Sequence, residues 1–461
     1  MRHLALALAV LLALACPGLV AAQEAEDAPP VRVEVLRDAG EWTATYRFPS
    51  DAGGWAFPRS NRARRQDTGW RQLSWTVETE GVSLARIGET DVLLADNGTV
   101  PREVVIRFTP FADDLQADYD PALQFTDGTF ALFTGHFAVM PWLGEEMAEE
   151  GPGIEMAFRD TAGPLTYKGR RYDSATTRDQ STYLIFGDAQ LATTEHLATL
   201  IDPATPGWLR RELLDFLPQT FALYADRLGQ QAGTGKPTVL SSWAGPTPGV
   251  VSRGGSVLPA LLVVRLEGEG LVAENARELQ GVRWFIAHEG AHFWLGQTVR
   301  YESSADGWIT EGGASLLAYR LIERVDPAYD AGGELAQEWQ TCLDMSVAKP
   351  LAEADERRDY DAHYACGTVL GMVAEGAAQK NGGRDFFDFV GALIDANRED
   401  SGGDGVVSVD EWLGQLVAES GDAQLGEQVR QFVYEGTDDP QAVLCAMLAR
   451  VDRSAPGCPA T

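Results

Sequence analysis

Apolar and polar residues alternate along much of the chain from residue 31 to about residue 189. Residues 31–35, 42–46 and 104–108 place apolar side chains at every second position. Gly, Asp, Asn and Pro residues separate such segments. Alternation with a period of two is typical of strands that bury one face. The pattern therefore predicts a β-sandwich or saddle of antiparallel strands in the N-terminal part of the chain.

The periodicity changes near residue 195 to the spacing of helices. From Pro206 to Leu228 apolar residues recur at intervals of three and four, and a helical pattern covers most of the chain after residue 275. Two short apolar runs, at residues 237–243 and 258–266, predict strands. We therefore expect an α+β protein in which a β-rich domain precedes a mainly helical one.

Residues 1–22 have the pattern of a secretory signal peptide. Arg2 precedes an apolar run over residues 4–15, and Val20 and Ala22 occupy the −3 and −1 positions of a cleavage site. The apolar run is shorter than the roughly 20 residues that span a bilayer. We expect an exported protein, periplasmic or secreted, with no transmembrane segment after cleavage. Lipoprotein-type cleavage before Cys16 is the alternative.

The chain is strongly acidic. It has 37 Lys and Arg residues against 68 Asp and Glu residues, a formal net charge of −31 at pH 7. Such a charge repels phosphate backbones and anionic lipid surfaces. We therefore expect no nucleic-acid partner.

Four cysteines follow the signal peptide: Cys342, Cys366, Cys445 and Cys458. An even count in an exported chain favours two disulfides, and four cysteines allow three pairings. We favour Cys445–Cys458, which closes a short C-terminal loop, and with it Cys342–Cys366. The spacings do not match a cysteine zinc ribbon.

The segment from Trp284 to Gly296 contains the motif HExxH, formed by His288, Glu289 and His292. Residues four apart on a helix lie one turn above each other on the same face. Two imidazoles are therefore presented to one zinc ion, with Glu289 beside them as general base.

A catalytic zinc site needs a third protein ligand and an open position. Glu311 follows His292 after 18 intervening residues, in a segment whose pattern is also helical. The sequence therefore predicts one catalytic zinc ion on His288, His292 and Glu311. The alternative is a decayed site that has kept the motif without turnover.

Residues 288–315 resemble the aminopeptidase N family of zinc metallopeptidases, whose pattern is HExxH-x18-E followed by Gly, a variable residue and Ala-Ser. Residues 292–299 also match the family's His-x-Trp-Phe-Gly-Asn-x-Val closely. The resemblance implies a thermolysin-like catalytic domain that hydrolyses peptide or protein substrates. The expected organisation is then a signal peptide (1–22), a β-rich domain (23–194) and a zinc metallopeptidase domain (195–461).

The resemblance also implies a role for Tyr364. The family uses the tyrosine of a Tyr-x-Lys-Gly motif to donate a hydrogen bond to the tetrahedral oxyanion. Here the segment reads Tyr364-Ala-Cys366-Gly367, with Cys in place of Lys. A phenol there would stabilise charge that develops in the transition state. The alternative is a core tyrosine on an apolar helix face.

One departure from the family concerns its Gly-x-Met-Glu-Asn segment, whose Glu binds the substrate's free α-amine. The matching residues are 254–258, and Val257 occupies the Glu position. Discrimination for a charged N-terminus should therefore weaken. Gly255 and Ser256 are the expected substrate-binding residues, through the backbone of an edge strand. An endopeptidase or a non-peptide hydrolase is the alternative to an aminopeptidase.

Two further departures are smaller. The family often carries a Glu seven residues after its zinc Glu, supporting a histidine ligand, and here Ala318 stands there. We expect Asp306 or a backbone carbonyl to take over that support. Only about 95 residues follow Gly367, too few for the family's C-terminal helical domain, so we expect a short member with an open site.

Residues 400–411 resemble a calcium-binding loop. Asp400, Asp404, Gly405 and Glu411 fit the loop, but its third position is Gly402, which offers no ligand. The competing interpretation is an inter-helix loop in which Ser408 and Glu411 form a capping box. We favour the capping box over a calcium ion.

Overall fold

The strands of the N-terminal half form where apolar and polar residues alternate. In the computed structural model, which describes residues 29–232 and 236–459, Val31, Val33 and Val35 are buried while Arg32 between them is exposed. The expected signal peptide and Cys16 lie outside the described residues. Contacts divide the chain into two compact units, residues 29–124 with 128–188 and residues 125–127 with 189–459.

The first unit contains most of the strands. They are β1 (Val31–Asp38), β2 (Glu41–Arg47), β3 (Gly54–Phe57), β4 (Arg62–Ala63), β5 (Thr68–Gly69), β6 (Trp75–Val77), β7 (Val82–Ile87), β8 (Thr90–Ala95), β9 (Glu103–Phe108), β10 (Ala122–Gln124), β11 (Phe130–Phe133), β12 (Met140–Trp142), β13 (Ile154–Asp160), β14 (Leu165–Tyr167), β15 (Arg170–Tyr172), β16 (Ser174–Arg178) and β17 (Tyr183–Phe186). A short helix, α1 (Trp70–Ser74), precedes β6.

Three larger sheets build this unit. Their strand orders are β16-β13-β1-β2-β9-β6, β10-β11-β17-β14-β15 and β12-β3-β8-β7. Neighbouring strands run antiparallel, apart from β1 and β13, which are parallel. The inward side chains of these strands form one apolar core. The expected β-rich N-terminal region is confirmed.

The second unit contains a mixed sheet and most of the helices. Its strands are β18 (Ala192–Thr193), β19 (Ala198–Ile201), β20 (Thr238–Trp243), β21 (Ser252–Leu258), β22 (Leu261–Glu267), β23 (Arg300–Tyr301) and β24 (Val406–Val407). Five of them form one sheet in the order β18-β19-β20-β22-β21. The strand β21 therefore lies at an edge, antiparallel to β22.

The helices of this unit follow the predicted periodicity, and the first begins one residue after the predicted Pro206. They are α2 (Gly207–Leu228), α3 (Ala276–Ala291), α4 (Gly307–Val325), α5 (Gly332–Ser346), α6 (Ala354–Arg357), α7 (Asp361–Lys380), α8 (Phe386–Asn397), α9 (Val409–Ser420), α10 (Ala423–Tyr434) and α11 (Pro440–Arg450). In the part of the chain that the structure describes, no helix is both long and apolar enough to cross a bilayer.

Two glycines bring α4 and α7 together. A Cβ atom on Gly312 would lie 2.2 Å from the backbone of Gly367, and one on Gly367 would lie 2.2 Å from the carbonyl oxygen of Trp308. The helices therefore cross with their backbones in contact. This crossing holds Glu311, next to Gly312, close to Tyr364, one turn before Gly367.

The disulfides have the favoured pairing. Cys342–Cys366 links α5 to α7, and Cys445–Cys458 links α11 to the segment that follows it. The first disulfide fixes α5 against the helix that carries Tyr364. It also accounts for the cysteine that replaces the family's lysine at position 366.

Candidate metal centre

The structure brings His288, His292 and Glu311 together. His288 lies in the last turn of α3, and His292 caps the end of that helix with helical backbone angles. The Nε2 atoms of the two histidines are 3.2 Å apart. Glu311, in the first turns of α4, places Oε2 3.3 Å from Nε2 of His288 and 3.4 Å from Nε2 of His292.

This triangle has the dimensions of a zinc site. Ligands at the usual zinc distances of about 2.0–2.1 Å in tetrahedral geometry lie about 3.3–3.4 Å from one another. Oε2 of Glu311 is buried and has the two imidazole nitrogens as close polar contacts. Two imidazole nitrogens and a carboxylate oxygen, all directed at one point, are a donor set that zinc accepts.

The charges of the cluster also favour a cation. Burial raises the pKa of Glu311, but hydrogen bonds to His288 and His292 outweigh it and hold this pKa well below its ordinary value. Burial lowers the pKa of His292, whereas the hydrogen bond and charge of Glu311 raise it to about 9. When no metal is bound, a proton therefore supplies the positive charge that the carboxylate attracts.

The outer nitrogens of both histidines have polar partners. Nδ1 of His292 is 3.0 Å from the carbonyl oxygen of Leu295. Nδ1 of His288 is 3.2 Å from the hydroxyl oxygen of Ser315. Such contacts orient the ring of a metal-binding histidine. A backbone carbonyl thus takes one of the supporting positions, as expected, while Asp306 instead forms a capping box with Ser303.

Glu289 and Tyr364 lie beside the cluster. Glu289 follows His288 on α3 and is partly exposed. The ring of Tyr364 stacks on the imidazole of His288, with centroids 5.4 Å apart. Burial raises the pKa of Tyr364, and the charge and hydrogen bond of Glu311 raise it further. The phenol therefore stays protonated near neutral pH and remains a hydrogen-bond donor.

The expected substrate residues lie on the edge strand β21. Gly255 and Ser256 pair with Val264 and Val263 of β22. A Cβ atom on Gly255 would lie 2.5 Å from the ring of Phe285, so only glycine lets this strand lie flat against α3. Val257 packs against the apolar core of the unit. The position of the family's amine-binding carboxylate is thus occupied by an apolar side chain.

The sequence did not single out three side chains that contact or surround this cluster. Trp284 lies four residues before His288, and Ser315 lies four residues after Glu311, so the helical repeat was a signal that pointed to both. Tyr301 had no such signal. Burial and the charges of Glu311 and Asp355 raise the pKa of its phenol.

In the loop at residues 400–411, the side chains have protein partners. Ser408 and Glu411 form the expected capping box at the start of α9. Asp400 accepts hydrogen bonds from Arg398, and Asp404 accepts one from the backbone of Val406. Three of the carboxylates that a calcium loop would use are therefore engaged with protein groups.

The fold is that of the aminopeptidase N-like zinc metallopeptidases. An aminopeptidase N family protein from Idiomarina loihiensis superposes with a TM-score of 0.61 over 91% of this chain and 78% of its own, at 11% identity. Yeast leukotriene A4 hydrolase gives a TM-score of 0.50 over 90% of this chain and 68% of its own, at 12% identity. These likenesses confirm the expected fold.

An M1 zinc metallopeptidase mutant from Deinococcus radiodurans, bound to a Tyr-Ser-Ala substrate, is also similar. The similarity spans 89% of this chain and 94% of that protein, at 15% identity, with a TM-score of 0.46. No protein-family model matches the sequence. No curated protein matches it significantly by sequence.

Proposed function

We propose that this protein is an exported zinc metallopeptidase that hydrolyses peptide bonds with water. The observation that carries the proposal is the triangle of His288, His292 and Glu311, whose edges of 3.2, 3.3 and 3.4 Å match a zinc coordination sphere. The fold supports the assignment. Export is supported by the N-terminal sequence pattern and by the two disulfides.

Zinc held by these three residues would act as a Lewis acid that activates water and polarises the scissile carbonyl. Glu289 accepts a proton as the water oxygen bonds to the carbonyl carbon. Tyr364 donates a hydrogen bond to the carbonyl oxygen as that oxygen gains negative charge. Glu289 then delivers the proton to the leaving nitrogen when the C–N bond breaks. The products are a carboxylate and an amine.

The edge strand β21 suits an extended peptide as the substrate. Gly255 and Ser256 offer backbone groups to an extended peptide, which would pair with β21 as an added strand. This recognition requires no particular side chain and no free terminus. It supports a peptide substrate over an unrelated small molecule.

The residue at position 257 favours a second candidate function that uses the same zinc-dependent hydrolysis. Val257 supplies no charge for an α-amine, so a peptidase that accepts blocked or internal peptide bonds is the alternative to an aminopeptidase. Matched peptides with free and acetylated N-termini distinguish the two. A strong preference for the free amine would favour the aminopeptidase.

The first experiment is metal analysis of the purified protein together with a peptide-library cleavage profile. We expect about one zinc ion per chain and hydrolysis that Glu289→Gln lowers by roughly 10²–10⁴-fold without loss of zinc. Glu323→Gln, a change at a partly exposed ion pair with Arg320, is the control and should leave both unchanged. Absence of zinc, or full hydrolysis by Glu289→Gln, would show the mechanism to be wrong.

A further inference from the structure

The helices α3 and α4 meet in a regular antiparallel register that extends beyond the three metal-binding candidates. His292 lies opposite Glu311, at 3.4 Å, and His288 lies opposite Ser315, at 3.2 Å. One further turn back along α3 is Trp284, and its ring lies 6.2 Å from that of Tyr319 on α4. Each step of four residues on one helix thus matches a step of four on the other.

In this register Trp284 lies against a metal ligand. Its ring and the imidazole of His288 have centroids 5.0 Å apart and planes 27° apart, which is a stacked arrangement. Tyr364 also stacks on His288, with planes 23° apart. Two aromatic faces therefore restrict rotation of this imidazole. By comparison, the outer nitrogen of His292 contacts the carbonyl oxygen of Leu295.

The polar support of His288 is weak for a metal-binding histidine. When Nε2 of His288 binds a metal, Nδ1 carries the ring proton and donates a hydrogen bond to the hydroxyl oxygen of Ser315, 3.2 Å away. A hydroxyl is neutral and rotates, whereas the usual carboxylate partner is charged and also holds the ring in place. Ala318, fully buried on α4, contributes no polar atom. The Ser315 hydroxyl is therefore a weaker orienting contact than a carboxylate, and the rings packed on His288 add to it.

The indole of Trp284 is held for packing and not for hydrogen bonding. Its Nε1 atom is buried without a partner among the described residues. Beneath it, the hydroxyl of Tyr319 donates a 2.7 Å hydrogen bond to Glu338 on α5. The disulfide Cys342–Cys366 joins α5 to α7, the helix of Tyr364. The rings around His288 are therefore supported by a cross-linked set of helices.

We propose that Trp284 is a positioning residue for the metal ligand His288, and that its stacked ring takes the place of a charged outer partner. The inference rests on the proposed function, since it concerns the proposed metal site. A bound cation places positive charge on the imidazole, and the face of an indole attracts such charge. The ring also fixes the plane of the imidazole, as outer partners do at other metal sites.

The test measures zinc affinity by competition with a chromophoric chelator, using the full-length wild-type protein and Trp284→Leu. Loss of an outer partner typically lowers affinity by roughly 10–100-fold, and we expect a decrease in that range. Trp284→Phe keeps an aromatic face and should restore most of the affinity. The visible spectrum of the cobalt-substituted protein should change with Leu and return towards wild type with Phe.

Trp412→Leu is the matched control. Trp412 is also a tryptophan within the helical unit, and its ring contacts Trp308 and Phe389. It is buried, whereas Trp284 is partly buried. This variant should lose thermal stability while its zinc affinity stays at the wild-type value. If Trp284→Leu does not fold, Trp284→Met, a flexible side chain without a ring, replaces it.

The outcomes separate this inference from the proposed function. A wild-type protein that binds no zinc contradicts the proposed function itself. The second outcome is that the wild-type protein binds zinc tightly and a folded Trp284→Leu or Trp284→Met variant binds it with the same affinity. That result overturns the role of Trp284 alone. Equal loss of affinity in the Phe and Leu variants also overturns it, because an effect of volume would then explain both.

Discussion

The helices that carry the metal cluster and the edge strand that we propose as the substrate site differ in how closely they match the family pattern. On α3 and α4, His288, His292 and Glu311 are all present at the family spacing, and their ligand atoms form a triangle of nearly equal edges. On β21 the glycine that lies flat against Phe285 remains, but Val257 replaces the amine-binding carboxylate.

The difference follows from what each region must achieve. A zinc ion accepts donor atoms only within a few tenths of an ångström of their ideal distances, so a change in any ligand removes the site. A substrate that pairs through the backbone requires only that the strand be accessible and extended. Side chains along the strand then alter which substrate binds without altering the chemistry.

The largest expected effect comes from neutralising the carboxylate ligand of the proposed zinc site. Glu311→Gln keeps the shape but removes the charge that attracts the cation, and we expect zinc affinity to fall by more than the roughly 100-fold seen for outer partners. Chelator competition measures it. Glu323→Gln serves again as the control. Retention of zinc at wild-type affinity would contradict the assignment of Glu311 as a ligand.

The next largest effect distinguishes loss of the oxyanion hydrogen bond from loss of zinc binding. Tyr364→Phe keeps the ring that stacks on His288 but removes the hydroxyl. We expect kcat to fall by about 10²–10³-fold, because a donor that acts in the transition state is lost, while zinc affinity and KM change little. Steady-state kinetics with a fluorogenic peptide test this. A loss that appears in KM alone would indicate a substrate-binding tyrosine.

A pH effect on metal binding should follow from the charges of the cluster. The pKa of His292 is raised to about 9 when no metal is bound, and zinc must displace that proton. Below pH 9 the protonated form dominates, so apparent zinc affinity should rise by about tenfold for each pH unit between pH 6 and 8. Chelator competition at fixed ionic strength measures the slope. A flat profile over this range would show that zinc binding displaces no proton from His292.

The same comparison explains what the sequence could and could not predict. The pairing of His288 with His292 could be predicted because residues four apart on one helix share a face. Glu311 could be predicted because a catalytic zinc site needs a third protein ligand. The stacking of Trp284 on His288 could not be predicted, because a tryptophan four residues from a histidine is also typical of an ordinary apolar helix face. Alternation predicted the strands of the first unit, but not their order, which depends on long-range pairing such as that of β1 with β13.

The smallest expected effect concerns the edge strand β21. Val257→Glu restores a carboxylate at the family's amine-binding position, and a new ionic contact with a free N-terminus should raise kcat/KM for free-amine peptides over acetylated ones by about tenfold. Val257→Gln is the matched control, since it has the same size without the charge and should leave the ratio near that of wild type. Because Val257 packs against the core, thermal unfolding of both variants is measured alongside. If both variants fold and neither changes the ratio, substrates do not present their N-terminus to this strand. A peptidase that accepts blocked or internal peptide bonds is then favoured over an aminopeptidase.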